Sequence, residues 1–354
     1  MLSLILFAAA LIVAALTVLA RLPFYDWWIR ACDFPRLQIA ALALIILALS
    51  PLASAPYHWL TAIVSGAVLG WQSYRIAPYT RLWPKQVKDA EGGNEERCIS
   101  LLIANVLMPN RKSEGLMRQI RECQPDVVLT LESDHWWENE LDSAIASDYP
   151  HAVRIPLDNL YGMHLYSRLK LEETEVEWLI QDDIPSIHTW LRLANNSRVR
   201  LHALHPRPPA PSESEESLWR DAELLLVGKQ IHRDGDPTLV VGDLNDVAWS
   251  RTTRTFCRVS GMLDPRRGRG MFSTFHANYR LMRWPLDHVF VSEEFTLKNM
   301  RRLEAFGSDH FPILVTLCFR PSRADEHENP EADADEWEEA EEAIEEARSR
   351  DQET

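Results

Sequence analysis

The first 74 residues contain long apolar runs without charge, which few folds accommodate outside a lipid bilayer. Residues 2–20 and 37–56 carry no charged side chain, and each run approaches the ~20 apolar residues that a membrane-spanning helix needs. A third run, 59–71, is shorter. A cleaved signal peptide is the alternative for the first run, but that run lacks a basic start and further apolar runs follow it. The sequence therefore predicts three transmembrane helices within residues 1–74.

The distribution of lysine and arginine predicts the orientation of these helices. Basic residues occur in the segments 21–36 and 75–88, whereas the N-terminus and the connector 51–58 contain none. Three spans place both basic segments on one side of the membrane, which the positive-inside rule makes the cytoplasm. We therefore predict an integral protein of the inner or plasma membrane that contacts the bilayer through residues 1–74. Its N-terminus is expected outside, and the domain that follows is expected in the cytoplasm.

The remainder of the chain is predicted to contain a linker at 75–97 and one domain at 98–320. In this domain short apolar runs alternate with polar turns, which is typical of a mixed α/β fold. Two amphipathic segments, 113–123 and 218–231, predict helices, and the Asn-Asn-Ser sequence at 195–197 predicts a hairpin turn. The predicted strands are ISLLIANV, DVVLTLE, MHLYSR, TWLRLA, VRLHALH, TLVVGDLN, LDHVFVS and ILVTLCF.

The formal charge of -15 is concentrated in the last segment, because residues 324–354 hold 15 acidic side chains against Arg348 and Arg350. The remainder is nearly neutral and lacks the strongly basic field of a tight duplex-binding protein. Residues 321–354 are predicted to be an acidic low-complexity tail that is solvated, partly helical or disordered, with no partner identified. The five cysteines are odd in number and scattered, so ordinary thiols are expected.

Polar side chains occur where several predicted strands begin or end. In TLVVGDLND an apolar run stops at Gly242 and is followed by Asp243, Asn245 and Asp246. A turn would account for these three, but other strands show the same feature. Carboxylate and amide oxygens are ligands for Mg²⁺ or Mn²⁺, and phosphoester hydrolysis uses such a cation together with a base for water and neutral donors. The further strand-end residues are Asn105, Glu132, His205, Asp287, Asp309 and His310.

This ordered set, with Gly-Asp-Leu-Asn at 242–245 and Ser-Asp-His at 308–310, resembles the endonuclease/exonuclease/phosphatase superfamily over residues 97–320. That superfamily includes pancreatic deoxyribonuclease, abasic-site endonucleases, neutral sphingomyelinases and inositol-polyphosphate phosphatases. The resemblance implies a four-layered α/β sandwich, in which two packed mixed sheets are flanked by helices. In this chain the sandwich would be preceded by the N-terminal transmembrane helices.

The resemblance also implies a role for each residue. Glu132 would be the principal ligand of Mg²⁺ or Mn²⁺ with Asn105 beside it, and Asp309 would be a further ligand or would position the metal-bound water. Asp243 would orient or deprotonate the attacking water. The remaining implied catalytic residues are His205 and Asn245, which would donate hydrogen bonds to the phosphoryl oxygens, and His310, which would be held by Asp287.

Two further features have competing explanations. A second Ser-Asp-His triplet, at 133–135, directly follows Glu132, and we expect Asp134 to cap a helix rather than to take part in chemistry. The arginines of the segment 266–269 are either a solvated loop or a loop that contacts phosphate.

The sequence as a whole predicts a membrane-anchored, divalent-metal-dependent phosphodiesterase, in the first place a nuclease. The alternative substrate is the headgroup of a phospholipid or an inositol phosphate, cleaved by a phosphodiesterase or phosphatase activity. A second alternative is an inactive domain that serves as a membrane-bound interaction scaffold. The complete polar set argues against this last reading, because an inactive site has no need to retain every group.

Overall fold

The computed structural model describes residues 1–92 and 95–351. Its first part is a bundle of three helices joined by a short one, and the bundle packs through small and branched apolar side chains such as Ala10, Ile39 and Val68. Buried polar groups also join these helices, since Gln72 accepts a hydrogen bond from Arg36 (3.0 Å) and donates one to Thr17 (2.9 Å). The helices are α1 (Leu2–Leu19), α2 (Trp27–Arg30), α3 (Arg36–Leu49) and α4 (Tyr57–Ile76).

The helices predicted at the N-terminus are therefore present, but their lengths and apolarity support fewer spans than predicted. Within the described ranges, α1 alone is long and apolar enough to cross a membrane. The segments Trp27–Asp33 and Arg36–Leu52 meet at a bend of 66° and add a second candidate if they are one broken span.

Residues 98–319 form two β-sheets that pack face to face. The first sheet has the order β10-β11-β1-β2-β4-β3, and its strands are β1 (Cys98–Asn105), β2 (Val127–Leu131), β3 (His151–Ile155), β4 (Met163–Ser167), β10 (Phe295–Arg302) and β11 (Ile313–Phe319). The second sheet has the order β5-β6-β7-β8-β9, and its strands are β5 (Lys170–Glu177), β6 (Ser186–Arg192), β7 (Arg198–Leu204), β8 (Thr238–Asp243) and β9 (Asp287–Val291).

Apolar side chains from the facing surfaces of both sheets form one continuous core, to which Ile103 and Leu129 contribute from the first sheet and Leu201 and Val241 from the second. Helices cover both outer surfaces, each with its own apolar cluster. The predicted four-layered α/β sandwich is confirmed. The covering helices are α5 (Glu114–Cys123) and α6 (His135–Ile145) on the first sheet, and α7 (Leu218–Asp234) and α8 (Arg251–Ser260) on the second.

All eight predicted strands and both predicted helices are present, and the predicted hairpin turn connects β6 to β7. Three strands, β3, β5 and β10, were not predicted. All three lie at sheet edges, where a strand is paired with another strand on one side alone and polar residues are tolerated. The sequence of β5, KLEETEVE, is mostly charged and largely exposed, so it lacks the apolar run by which a buried strand is recognised.

The predicted linker 75–97 is corrected at residues 87–90, which are packed against the domain. Val87 is fully buried in the core between the sheets. The amide of Leu297 donates to the Lys88 carbonyl at 2.9 Å, and the amide of Ala90 donates to the Leu297 carbonyl at 2.8 Å. A single apolar residue among Pro, Lys and Asp gives no periodic signal, so this contact could not be seen in the sequence.

The acidic tail is also corrected, because its helix α9 (Ala334–Asp351) is docked rather than solvated. Its apolar stripe packs against α7 and α8, with Ala343 and Ile344 buried against residues such as Leu225 and Val259. Small alanine side chains let the helices approach closely, so a thin stripe is enough. Ion pairs surround it, including Arg251 with Glu339 at 2.7 Å, Lys229 with Glu341 at 2.8 Å, and Arg258 with Glu336.

The expectation of ordinary thiols is wrong for two of the five cysteines. Cys98 and Cys318 form a disulfide, because β1 and β11 are antiparallel neighbours and these two residues are directly opposed in the register. They lie 220 residues apart in sequence, so only the strand order discloses the pairing. Cys32, Cys123 and Cys257 are free.

The docking of α9 predicts that a charge in its buried stripe destabilises the protein. We expect Ile344→Asp to cost on the order of 3 kcal/mol of stability, because it exchanges apolar contacts for a buried carboxylate. The loss of stability is measured by thermal unfolding of the full chain in detergent. The undocking of α9 is measured by its rate of cleavage by a glutamyl endopeptidase. Glu345→Asp, at an exposed position of the same helix, is the control. Unchanged unfolding and cleavage in Ile344→Asp would mean that the tail is solvated after all.

Candidate active site

Strand β8 ends at a point where its backbone lies unusually close to β7. A Cβ at Gly242 would lie 1.9 Å from the Leu204 carbonyl oxygen, and Gly242 has φ +143, so only glycine fits. The chain then turns at Asn245, whose φ is 51, and the Asn245 amide donates to Asp243 Oδ1 at 2.9 Å. This turn holds the Asp243 carboxylate at the end of the strand instead of releasing it to solvent.

Strand direction brings the other predicted residues to the same edge. In the first sheet β1 and β2 are parallel, and in the second sheet β7 and β8 are parallel, so the residues at their carboxyl ends are neighbours. Strands β9 and β11 are antiparallel to β8 and β1, so their first residues lie at that edge too. The residues placed there are Asn105, Glu132, His205, Asp243, Asn245, Asp287, Asp309 and His310.

The carboxamide of Asn105 connects the two sheets at this edge. Its Nδ2 donates to Glu132 Oε1 at 2.7 Å within the first sheet and to Asp243 Oδ2 at 3.1 Å in the second. Glu132 has a left-handed backbone, φ 55, which a residue with a Cβ adopts at a cost of order 1–3 kcal/mol. Burial raises the pKa of Glu132 to about 7, and the carboxylates of Asp243 and Asp309 act in the same direction. The carboxylates of Glu132 and Asp243 are therefore joined through one carboxamide.

A histidine lies between two carboxylates on the second sheet. His310 Nδ1 is 2.8 Å from Asp287 Oδ2, and its Nε2 is 3.4 Å from Asp243 Oδ2. Burial alone would lower the pKa of His310, but Asp287 and Asp243 outweigh it and raise this pKa to about 10. The ring of Phe275 packs 4.9 Å from that of His310. The two carboxylates therefore fix the orientation of the His310 ring and favour its protonated form.

His205 has the opposite electrostatic character. It is buried, and burial lowers its pKa to about 4, so the ring is neutral at physiological pH. Its Nδ1 has no hydrogen-bond partner among the described residues, which leaves one ring nitrogen free at the site. Asn245 donates one N–H to the Pro206 carbonyl at 3.0 Å, and a carboxamide has a second N–H to offer.

The donor set fits a hard divalent cation. Glu132 is only half-buried, and its carboxylate, that of Asp309 and the Asn105 side-chain oxygen are ligands of the kind that Mg²⁺ and Mn²⁺ prefer. Ligand atoms of Asp243, Asp287 and His310 also lie within 4.8 Å of one another. These three are already joined to one another, since both ring nitrogens of His310 face a carboxylate oxygen. The cation is therefore better matched by the oxygen donors beside Glu132.

The other polar features of the sequence have structural roles. Asp134 accepts from the Trp137 amide at 3.0 Å as the cap of α6, as predicted, and His135 is exposed. Asp246 bonds the Ser250 hydroxyl and its own turn. Arg266, predicted to be either solvated or a phosphate contact, is fully buried and paired with Asp264 at 2.9 Å. Arg266 is therefore neither a solvated side chain nor a phosphate contact.

Several supporting residues were not recognised in the sequence. The hydroxyl of Thr274 accepts from the Asp287 amide at 3.2 Å, and that of Ser308 donates to the Asn105 carbonyl at 2.8 Å. Arg220 donates to the Asn245 carbonyl at 2.8 Å. These groups fix the backbone from which the site residues project. They come from loops and a helix without any spacing signal, so only the fold identifies them.

Sequence comparison agrees with this geometry. The sequence model of the Endonuclease/Exonuclease/phosphatase family matches residues 102–310, which is more than half of the chain. The chain belongs to this family. No curated protein sequence matches it.

Solved structures of the Endonuclease/Exonuclease/phosphatase fold resemble the chain at low sequence identity. TDP2 of D. rerio in complex with a single-strand DNA product is 17% identical, with a TM-score of 0.52 over 62% of this chain and 98% of that one. The endonuclease/exonuclease/phosphatase from Beutenbergia cavernae is 14% identical, with a TM-score of 0.52 over 63% of this chain and 72% of that one. At this identity the similarity establishes the fold, and family membership makes the chain a phosphoester hydrolase.

The two Ser-Asp-His triplets allow a matched test of the site. We expect Asp309→Asn and His310→Ala each to lower the turnover of bis(p-nitrophenyl) phosphate by at least ~100-fold. The reason is that both residues lie at the edge where the other candidate site residues meet. Asp134→Asn and His135→Ala should retain most of the rate and most of the stability, because asparagine also caps a helix and His135 is exposed. Equal losses of rate from both pairs, at unchanged thermal stability, would show that the catalytic centre lies elsewhere.

Proposed function

We propose that the chain is a membrane-anchored, divalent-metal-dependent phosphodiesterase. The observation that carries this proposal is the Asn105 carboxamide, which bonds Glu132 on one sheet and Asp243 on the other. It joins a cluster of oxygen ligands to a carboxylate that can act on water. The candidate anchor is α1, with the bent segment 27–52 as a possible second span.

Each residue of the candidate active site would contribute a separate part of phosphodiester hydrolysis. Glu132, Asn105 and Asp309 would hold Mg²⁺ or Mn²⁺, which would supply Lewis-acid polarisation of a phosphoryl oxygen. Asp243 has one oxygen bound by the Asn245 amide, and its other oxygen faces Asn105 and His310, where it can orient water and accept its proton. The positive charge of His310 would stabilise the charge that develops on the phosphoryl group. His205 and Asn245 would donate hydrogen bonds to the same oxygens.

Nucleic acid is the first substrate class that we propose. The D. rerio TDP2 structure, which shares the fold, holds a single-strand DNA product. A near-neutral body favours single-stranded or short substrates over duplexes, because duplex binding depends on a strong basic field.

A second substrate class is supported by the position of the site relative to the N-terminal helices. Loops that border the site also contact these helices: the ring of Trp284 packs 5.5 Å from that of Phe34, Gln38 donates to the Leu281 carbonyl at 2.6 Å, and Trp249 donates to the Asp33 carbonyl at 2.8 Å. The side chain of Leu281 is 86% exposed, and Tyr279 and Met282 beside it are also exposed. Such a loop suits a membrane surface, which favours a phospholipid or inositol-lipid headgroup.

An activity screen of the full chain tests the proposal. Single- and double-stranded DNA, RNA, and mixed micelles containing sphingomyelin or inositol phospholipid should be offered with Mg²⁺ or Mn²⁺. We expect hydrolysis of at least one phosphodiester that is lost with EDTA, and Glu132→Gln should lower turnover by orders of magnitude while the fold survives. Glu138→Gln, on the nearby surface of α6, is the control. Equal activity of Glu132→Gln at limiting Mg²⁺ would remove Glu132 from the site, and inactivity on every substrate would favour the scaffold interpretation.

Two features bear on the side of the membrane on which the domain lies, and they point in opposite directions. The arginine asymmetry predicts a cytoplasmic domain, but Arg30 and Arg36 are buried in ion pairs with Asp221 and Asp33, so the fold itself accounts for their presence. The disulfide between Cys98 and Cys318 is typical of an oxidising compartment. We therefore propose that the catalytic domain faces the extracytoplasmic side, in place of the cytoplasmic location expected from the sequence.

Thiol labelling of intact cells tests this location. After denaturation without reductant, a maleimide-polyethylene glycol reagent should add to the free Cys32, Cys123 and Cys257 only, and addition to all five cysteines should require prior reduction. Cys98→Ser should release Cys318 for labelling. A cytoplasmic domain would give two different results. All five cysteines would be labelled without reductant, and an alkaline phosphatase fused after residue 90 would be inactive.

A further inference from the structure

A cluster of positive charge lies between the end of α4 and helix α8, apart from the candidate active site. It surrounds a cavity of about 210 Å³, which we call the arginine cavity, lined by the side chains of Arg75, Arg254, Arg258 and Arg267. None of the eight predicted catalytic and metal-binding residues lines it. The arginine cavity is therefore separate from the site described above.

Three of these four guanidinium groups have no carboxylate partner. Arg258 is paired with Glu336 of α9, but within residues 1–92 and 95–351 no ion pair involves Arg75, Arg254 or Arg267. Asp264, the acidic residue on the cavity wall, is paired with the buried Arg266 at 2.9 Å. The arginine cavity thus holds three guanidinium groups without a direct ion pair, and the more distant Asp33 offsets the charge of Arg75 and Arg254 only in part, since the pKa of both is lowered.

The hydrogen bonds of these arginines are also incomplete. Arg75 donates to the Trp249 carbonyl, but its Nε is buried without a partner among the described residues. Arg254 donates to the Ser250 carbonyl at 3.0 Å. Burial lowers the pKa of Arg254, and the neighbouring charge of Arg258 adds to this effect. Like charges held together in a half-buried space are unfavourable unless an anion joins them.

The acidic helix α9 does not supply that anion. Across a second, larger cavity its side chains face Arg75 and Arg254, but Glu339 is paired with Arg251 and Glu336 with Arg258. No described carboxylate of α9 lies within ion-pair distance of Arg75 or Arg254. An exogenous anion can therefore complete the arginine cavity.

We propose that the arginine cavity binds a phosphate group, and that the headgroup of an anionic lipid supplies it. Guanidinium groups bind phosphate through paired N–H donors, and three of them can surround one tetrahedral anion. The lipid source follows from position: Tyr74 is 63% exposed, Trp83 39% and Leu82 96%, and such aromatic and apolar side chains beside basic residues mark a membrane interface. The lipid source depends on the proposed membrane anchoring, whereas the phosphate site does not.

Thermal unfolding of the full chain in detergent tests the proposal, with EDTA present so that cation-dependent binding at the catalytic edge does not contribute. The ligands are phosphatidylglycerol in mixed micelles, phosphatidylcholine as the neutral comparison, and inorganic phosphate against chloride at equal ionic strength. We expect phosphatidylglycerol to raise Tm by on the order of 3 °C and phosphatidylcholine to leave it unchanged. The double variant Arg75→Gln/Arg254→Gln should lose the rise.

Matched variants separate a binding role from a structural one. Arg118→Gln/Arg121→Gln removes the same charge from exposed positions of α5 and should keep the full rise in Tm. The Arg267 side chain has no hydrogen bond in the described structure, so Arg267→Gln should not lower Tm in the absence of lipid. This variant should still reduce the rise in Tm with lipid. It keeps the test valid if the double variant does not fold. A rise with inorganic phosphate alone would retain the site but overturn the lipid source. A rise in Arg267→Gln and in the double variant as large as that of the unmodified protein, or no rise with either anion, would overturn the site.

Discussion

The hydrogen bonds of one buried carboxamide depend on the packing of the whole sandwich. Asn105 ends β1 and bonds to residues of both sheets, so its two distances are maintained only while the sheets keep their relative position. That position is set by the continuous apolar core between them, since close-packed side chains resist sliding. The geometry of the candidate active site is thus a consequence of core packing several strands deep, and substitutions far from the edge can alter it.

Buried ionic groups join this edge to the N-terminal helices. Arg220 donates to the Asn245 carbonyl and pairs with Asp221 at 2.7 Å, and Asp221 lies 3.5 Å from Arg30 of α2. Asp246, next to Asn245, lies 3.5 Å from the same Arg220. Removing one member leaves another charge buried without its partner, which is far more costly than losing an exposed pair. The helices and the loop that contains Asn245 are therefore held together by ion pairs as well as by packing.

The interior of the fold could be predicted from the sequence, and its margins could not. Buried strands produce apolar runs, and a polar residue at the end of such a run, such as Glu132 or Asp243, is conspicuous because burial gives it no ordinary role. The strands that were missed, β3, β5 and β10, and the docked helix α9 are partly solvated, so their sequences resemble those of loops, whereas the edge strand β9 is buried and was predicted. The pairing of Cys98 with Cys318 and the insertion of Val87 into the core depend on which strands are neighbours, which no local pattern records.

The strand order also has a consequence for how the protein is made. Strand β1 is flanked by β2 and β11. Cys318 of β11, which is paired with Cys98 of β1, lies 220 residues further along the chain. During synthesis β1 emerges just after the apolar helices, and its outer backbone groups stay unpaired until nearly the whole domain has been translated. Pairings between distant segments form slowly, and an open strand edge is prone to wrong partners. The nascent domain thus has a prolonged vulnerable stage, and a protective chaperone would be of most use during it.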